Sequence, residues 1–112
     1  NQPLVNVSKY GERRRNSSEL VLAPENTPAQ VERAVAVMQS VCEEHEEIDR
    51  WKVYFKNFTP AGFVIKYRFW VVHYKAFYRV TGEANTRILD RLRAEGIHLA
   101  DPLQDLSKLA SS

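Results

Sequence analysis

The hydrophobic pattern of this chain changes period once, in its second half, and that change constrains the fold more than any other feature. From Phe63 to Val72 apolar and polar residues alternate. Phe63, Ile65, Tyr67, Phe69 and Val71 fall on one side of an extended strand, and Lys66, Arg68 and Trp70 on the other. After His73 the spacing lengthens: Tyr74, Phe77, Tyr78, Thr81, Asn85, Ile88, Leu89 and Leu92 recur three and four apart, as on one face of a helix. Ala94-Glu95-Gly96 is predicted to end that helix, with the glycine in a left-handed turn, and Ile97-His98-Leu99 to start a new strand.

The first half supplies the elements that pair with this block. Arg14 to Leu22 reads as a strand with Leu20 and Leu22 on its buried side. Thr27-Pro28-Ala29-Gln30 combines a cap, a first-turn proline and a glutamine placed to complete a capping box. Val31, Ala34, Val35, Met38, Val41 and Cys42 then form an apolar helical stripe, and the acids Glu43 to Glu47 oppose the helix dipole and favour termination near Glu44. Trp51 to Lys56 alternates as a second strand, joined through Thr59-Pro60-Ala61-Gly62 to the Phe63 strand as a hairpin. The order strand, helix, strand, strand, helix, strand predicts an α+β, ferredoxin-like split βαβ (βαββαβ), with two helices on one face of an antiparallel sheet. The domain is expected over 13–106, with 1–12 a linker or the end of an upstream β-domain and 107–112 a tail. The other sheet face is left to Lys52, Tyr54, Lys56, Lys66, Arg68 and Trp70, a mixture of cations and aromatics that wants a partner.

Chemistry is sparse. The 112 residues are the size of one domain, and a net charge of +2 is too small to argue for nucleic-acid binding. No run approaches the roughly 20 apolar residues of a membrane span. The single cysteine, Cys42, sits on the apolar stripe of the first helix without a cationic neighbour to lower its pKa, and fits a reducing compartment. His45, His73 and His98 share no ligand spacing, no serine or cysteine has a partner base, and no phosphate loop is visible. The chain is therefore read as a non-enzyme, with no catalytic residue, no metal and no cofactor. Charge is nevertheless uneven: Lys9, Arg13, Arg14 and Arg15 cluster, as do Glu43, Glu44, Glu46, Glu47 and Asp49.

The order and spacing of motifs resemble the C-terminal cytoplasmic domain of small-conductance mechanosensitive channels. The residues that carry the resemblance are Ile65, Tyr67, Arg68, Phe69, Trp70 and Val71 in the strand, then Tyr74 and Phe77 in the helix. Its exit adds Gly96, Ile97, Leu99, Pro102, Gln104 and Leu106. Upstream, Leu4 to Ser8 is similar to the last strand of the family's β-domain. The family usually has Pro-aromatic-Pro before the glutamine, where this chain has Ala100-Asp101-Pro102-Leu103. The resemblance implies a homo-oligomer, a heptamer in the family, forming a hollow cage on the cytoplasmic side of the cell membrane. The pore helices would lie upstream. It places Arg13, Arg14 and Arg15 near the portals that admit permeating ions, Tyr54, Arg68 and Trp70 at subunit contacts, and Leu103 and Leu106 in the strand that closes the cage floor.

Two other classes share the element order. One is a regulatory or metal-sensing ferredoxin-like domain of a cation-efflux-type transporter, which needs ligands such as His45 with its glutamate neighbours, or His98 with Asp101. The other is an RNA-binding βαββαβ domain, but Phe63 and Tyr67 have the parity of the buried face, leaving Trp70 and Tyr54 as the only open-face platforms. No nucleic-acid partner is expected.

Overall fold

A computed structural model describes residues 13–100. Strand β1 (Arg14–Leu22) is followed by helix α1 (Pro28–Glu44), the hairpin strands β2 (Ile48–Thr59) and β3 (Gly62–Val71), a short 3-10 turn at Tyr74–Ala76, and helix α2 (Phe77–Ala94). The sheet is antiparallel in the order β1-β3-β2. β3, the most apolar strand, takes the centre, where both of its edges are paired. The order is that of the split βαβ arrangement, in which the strand after the second helix lies beside β1. That strand begins where expected: Leu99 forms an antiparallel bridge with Leu22, and the Ala100 amide donates to the Val21 carbonyl at 2.9 Å. Leu103 and Leu106, and the segments 1–12 and 101–112, lie outside the described residues.

Both helix boundaries of α1 have a local cause. The Thr27 hydroxyl accepts from the Gln30 amide at 3.2 Å, and the Gln30 side chain accepts from the Thr27 amide at 2.8 Å, completing the capping box before Pro28. The helix stops at Glu44, as the acidic run predicts. At the end of α2 the Ile97 amide donates to Leu92 and the Gly96 amide to Arg93, with Gly96 at φ +72°. This paired bond pattern, with Leu92 and Ile97 both buried, is a Schellman motif.

The core lies between the helices and one sheet face. Leu22, Ile65, Phe69, Val71, Met38, Val41, Cys42 and Val80 are almost fully enclosed. The predicted faces of β3 hold from Ile65 onward: Ile65, Tyr67, Phe69 and Val71 are buried, and Lys66, Arg68 and Trp70 lie on the other side, whereas at the start of the strand Phe63 is only half-buried and Val64, of the opposite parity, is buried.

The second helix departs from expectation in two ways. The residues Tyr74 to Ala76 form a 3-10 turn, so α2 proper starts at Phe77 with no side-chain cap. Its buried stripe is Phe77, Val80, Ala84, Ile88 and Leu92, rotated from the predicted one. Tyr74, Tyr78 and Leu89 are exposed, and Asn85 lies at the margin, accepting from the Tyr67 hydroxyl at 2.8 Å. Aromatic bulk drew the prediction toward Tyr78. The small Ala84 is fully enclosed on the true stripe, and α2 packs chiefly against α1.

Candidate functional site: the uncovered sheet face

Residues opposite one another in an antiparallel sheet share a face, so the registers define the uncovered side. Arg15, Trp70 and Arg50 lie abreast across β1, β3 and β2; Ser17, Arg68 and Lys52 form the next row, and Glu19, Lys66 and Tyr54 the third. A bulge between Phe55 and Asn57 in β2 displaces Lys56, whose ammonium reaches across to Glu19 at 2.6 Å. This lowers the Glu19 carboxyl from its usual range and raises the Lys56 ammonium. The face thus holds Arg15, Arg50, Lys52, Lys66 and Arg68, none of them ion-paired among the described residues. Its rings carry cations already: the Arg50 guanidinium lies 4.5 Å from the centre of Trp70, and the Lys52 ammonium 5.6 Å from that of Tyr54. Rings occupied in this way make poor platforms for stacking bases.

Tyr54, Arg68 and Trp70 therefore share one surface, as their parity predicts. Arg13, Arg14 and Arg15 do not, because successive residues of a strand point to opposite faces. Arg13 pairs with Asp49 at 3.0 Å. Arg14 turns to the helix side, its guanidinium 4.2 Å from the centre of the Phe77 ring and its Nη2 donating to the Tyr78 hydroxyl at 3.2 Å. Only Arg15 of the three joins the cationic face.

A second cluster forms where α1 ends. The buried His45 lies 2.9 Å, through Nε2, from Glu83, and its Nδ1 accepts from the Glu47 amide at 3.1 Å. Nε2 therefore carries the proton and donates. Arg79 bonds both Glu47, at 2.6 Å, and Glu83, at 3.2 Å. The His45 bond and Arg79 together hold Glu83 below the usual carboxylate range, and Arg79 does the same for Glu47. His45, Glu47 and Glu83 offer three ligand atoms within 4.8 Å of one another. Both imidazole nitrogens and both carboxylates are already engaged, and a cation occupies the cluster. A zinc titration by calorimetry is expected to give no sub-micromolar site; tight binding of defined stoichiometry would restore the metal-sensing reading.

Cys42 is fully enclosed, and burial pushes its thiol from an ordinary 9.0 up to about 11. The neutral thiol is favoured by the folded state, so its contribution to stability is intact below pH 9 and is lost as pH rises toward 11. Native protein at neutral pH should react with a thiol reagent only at the rate of unfolding. Fast labelling without denaturant would show the helix stripe to be open.

An apolar groove of about 610 Å³ runs between α1 and the hairpin, lined by Val31, Val35, Phe55, Phe58 and Phe63 among others. Phe55 and Phe58 are 44% and 73% exposed. Sequence reasoning missed two structural anchors. One is the buried Asn26, whose side chain donates to Ala23 and His98 carbonyls and accepts from the His98 amide, fixing the segment after α2 to that which follows β1. The other is the bulge that frees Lys56; neither leaves a periodic signal.

Among the described residues no helix is long and apolar enough to cross a membrane. No curated protein matches the chain. Residues 24–99, more than half of its length, match the family model described as mechanosensitive ion channel MscS, C-terminal. The matched span takes in both helices, the hairpin and the exit from α2 as far as Leu99, so the chain belongs to the C-terminal domain family of the mechanosensitive ion channel MscS.

Proposed function

We propose that this domain is the cytoplasmic part of a homo-oligomeric mechanosensitive channel, forming a segment of the cage that supports the pore and filters the ions reaching it. Seven copies, as in the family, would enclose the vestibule, with the conducting helices elsewhere in the protein. The observation that supports a filtering role is the uncovered sheet face. Five cations without an ion pair among the described residues share one side of a three-stranded sheet. Where such a surface borders a narrow aqueous path it enriches anions over about a Debye length, ~8 Å at physiological ionic strength. Arg68 and Trp70, with Tyr54, act at subunit contacts or line the vestibule, Arg15 extends the positive field toward the portal, and Arg13 stands beside it in its pair with Asp49.

The test is electrical. In the parent channel, changing Arg13 and Arg15 together to Glu is expected to shift the reversal potential toward cation permeability, and the shift should shrink as added salt shortens the Debye length. Arg14 is left intact because its guanidinium packs on Phe77 and Tyr78. Opening tension should stay where it was. Unchanged reversal potentials at low salt would remove the filtering role from this edge.

A further inference from the structure

Among the described residues two large aliphatic side chains are left open to solvent: Leu89 on α2, 36% exposed, and Leu99 just after it, 37% exposed. Both line one pocket of about 210 Å³, with Leu92, Arg93, Ile97 and His98 completing its wall. Arg93 is in no ion pair among the described residues. Residues 101–112 leave from beside this pocket, since Ala100 adjoins Leu99.

The sequence of that segment does not suit a strand along β1. Leu22 faces Leu99, and the ladder bonds on either side run from the Ala23 amide to His98 and from the Ala100 amide to Val21. The next bonded position on β1 is Glu19, and in this register it meets Pro102, which has no amide hydrogen to donate. Asp101-Pro102-Leu103-Gln104 instead repeats the chemistry of Thr27-Pro28-Ala29-Gln30, whose reciprocal hydrogen bonds open α1. Each has a side-chain acceptor at the cap, a proline at the first helical position and a glutamine at the third. Leu103, Leu106 and Ala110 then share one helical face, with Leu109 at its margin. On a strand, leucines three apart point to opposite sides; a helix brings Leu103 and Leu106 to one surface.

We propose that residues 102–110 form a short amphipathic helix that turns back and packs Leu103 and Leu106 into the pocket between α2 and Leu99 of the same chain. Nine residues make about 14 Å of helix, enough to cover about two and a half turns of α2. A helix this short is marginal in water by itself, so it forms where its apolar face is covered. Charge agrees with the pairing: Asp105 flanks the apolar face, and Arg93 stands at the pocket wall. Asp101 alone separates the Leu99 strand from the helix, and that strand is tied to β1 by two backbone bonds. The segment therefore meets its own pocket at an effective concentration that a second copy cannot match in dilute solution. Leu99 lies opposite Leu22, on the helix side of the sheet, so this contact leaves the cationic face open to solvent. It also takes Leu103 and Leu106 out of the floor strand that the resemblance implies.

Thiol accessibility at position 89 tests the contact. Leu89→Cys is made in the 112-residue chain and in a chain ended at Ala100, with Glu32→Cys on the exposed side of α1 as the reference site. Labelling of a covered thiol proceeds through local opening, so at position 89 it should be at least ~10-fold slower in the full chain than in the shortened one. At position 32 the two chains should label alike. Leu106→Asp in the full chain should restore fast labelling at position 89. Native Cys42 stays unlabelled wherever the fold is intact, which separates undocking from misfolding. If shortening exposes Cys42, the Leu106→Asp comparison decides the matter alone. Shortening should also remove helical far-UV ellipticity.

Equal labelling at position 89 in the two folded chains overturns the proposal, as does protection that Leu106→Asp leaves intact. Protection with no loss of helical ellipticity on shortening overturns the helix and assigns the segment to a strand. Protection that appears only as chain concentration rises places the segment on a neighbouring copy, and the contact within one chain falls.

Discussion

Replacing Phe69 with alanine should cost this domain about 3–5 kcal/mol, the range for removing a buried phenylalanine. Phe69 is fully enclosed at the centre of β3, with Asn16 opposite it on β1 and Trp51 on β2, and its ring lies 6.4 Å from that of Tyr67. Neither neighbouring strand can close over the vacated volume without leaving its register, so a cavity term adds to the lost transfer energy. Against a total stability of about 5–15 kcal/mol, such a change consumes a large share of the fold. Lys66→Ala, on the opposite side of the same strand, should move stability by less than about 0.5 kcal/mol. Denaturant melts of the two variants check this directly. Equal losses would mean that the two faces of β3 do not differ in burial, and a larger loss for Lys66→Ala that they are inverted.

That contrast is legible in the sequence because β3 obeys one rule from Ile65 to Val71. A strand buried on one face must alternate, and a central strand has no bulge to break the alternation. The capping box of α1 and the glycine exit of α2 were legible for a similar reason, since each is a local solution to unpaired backbone groups within a few residues. The rotation of α2 was not. Which residues of an amphipathic helix face inward depends on how closely it packs, and Ala84 and Val80 carry less weight in a pattern than Tyr78 and Leu89. Tertiary packing decided between two stripes that differ by a fraction of a turn.

The candidate site divides along the same line. Parity alone assigns Lys66, Arg68 and Trp70 to the uncovered face, and the pairing of β2 with β3 brings Lys52 and Tyr54 beside them. Arg50 joins them by the same parity as Lys52 and Tyr54, and the register shift between Ile48 and Arg50 is what lets Ile48 turn to the buried side instead. The run Arg13-Arg14-Arg15 reads as one basic cluster in one dimension. In the fold it is divided among an ion pair, an aromatic pocket and the cationic face. A charge run on a strand is two half-runs, and only the residues of one parity can act together on a ligand or a partner.

Gly62→Ala should be at least as damaging as the core substitution, although Gly62 makes no side-chain contact at all. The residue sits at φ +145°, a conformation that costs any L side chain on the order of 1–3 kcal/mol. The added Cβ would also fall 1.9 Å from the Leu22 carbonyl oxygen and 3.2 Å from Val21 Cγ1. A backbone carbonyl cannot rotate away as a flexible side chain can. Relief requires the end of β1 to move from β3, and that end also carries the Leu22–Leu99 bridge and the Ala23–His98 hydrogen bond. The substitution therefore loosens the hairpin and the segment after α2 together, for a loss of at least ~3 kcal/mol. Gly82→Ala provides the opposite sign with the same chemistry: nothing lies within 4 Å of its added Cβ, and α2 gains a better helix former worth about 0.5–1 kcal/mol. Thermal or denaturant melts should move the two variants in opposite directions. A Gly62→Ala protein as stable as wild type would show that β1 does not approach the hairpin as closely as the Leu22 carbonyl implies.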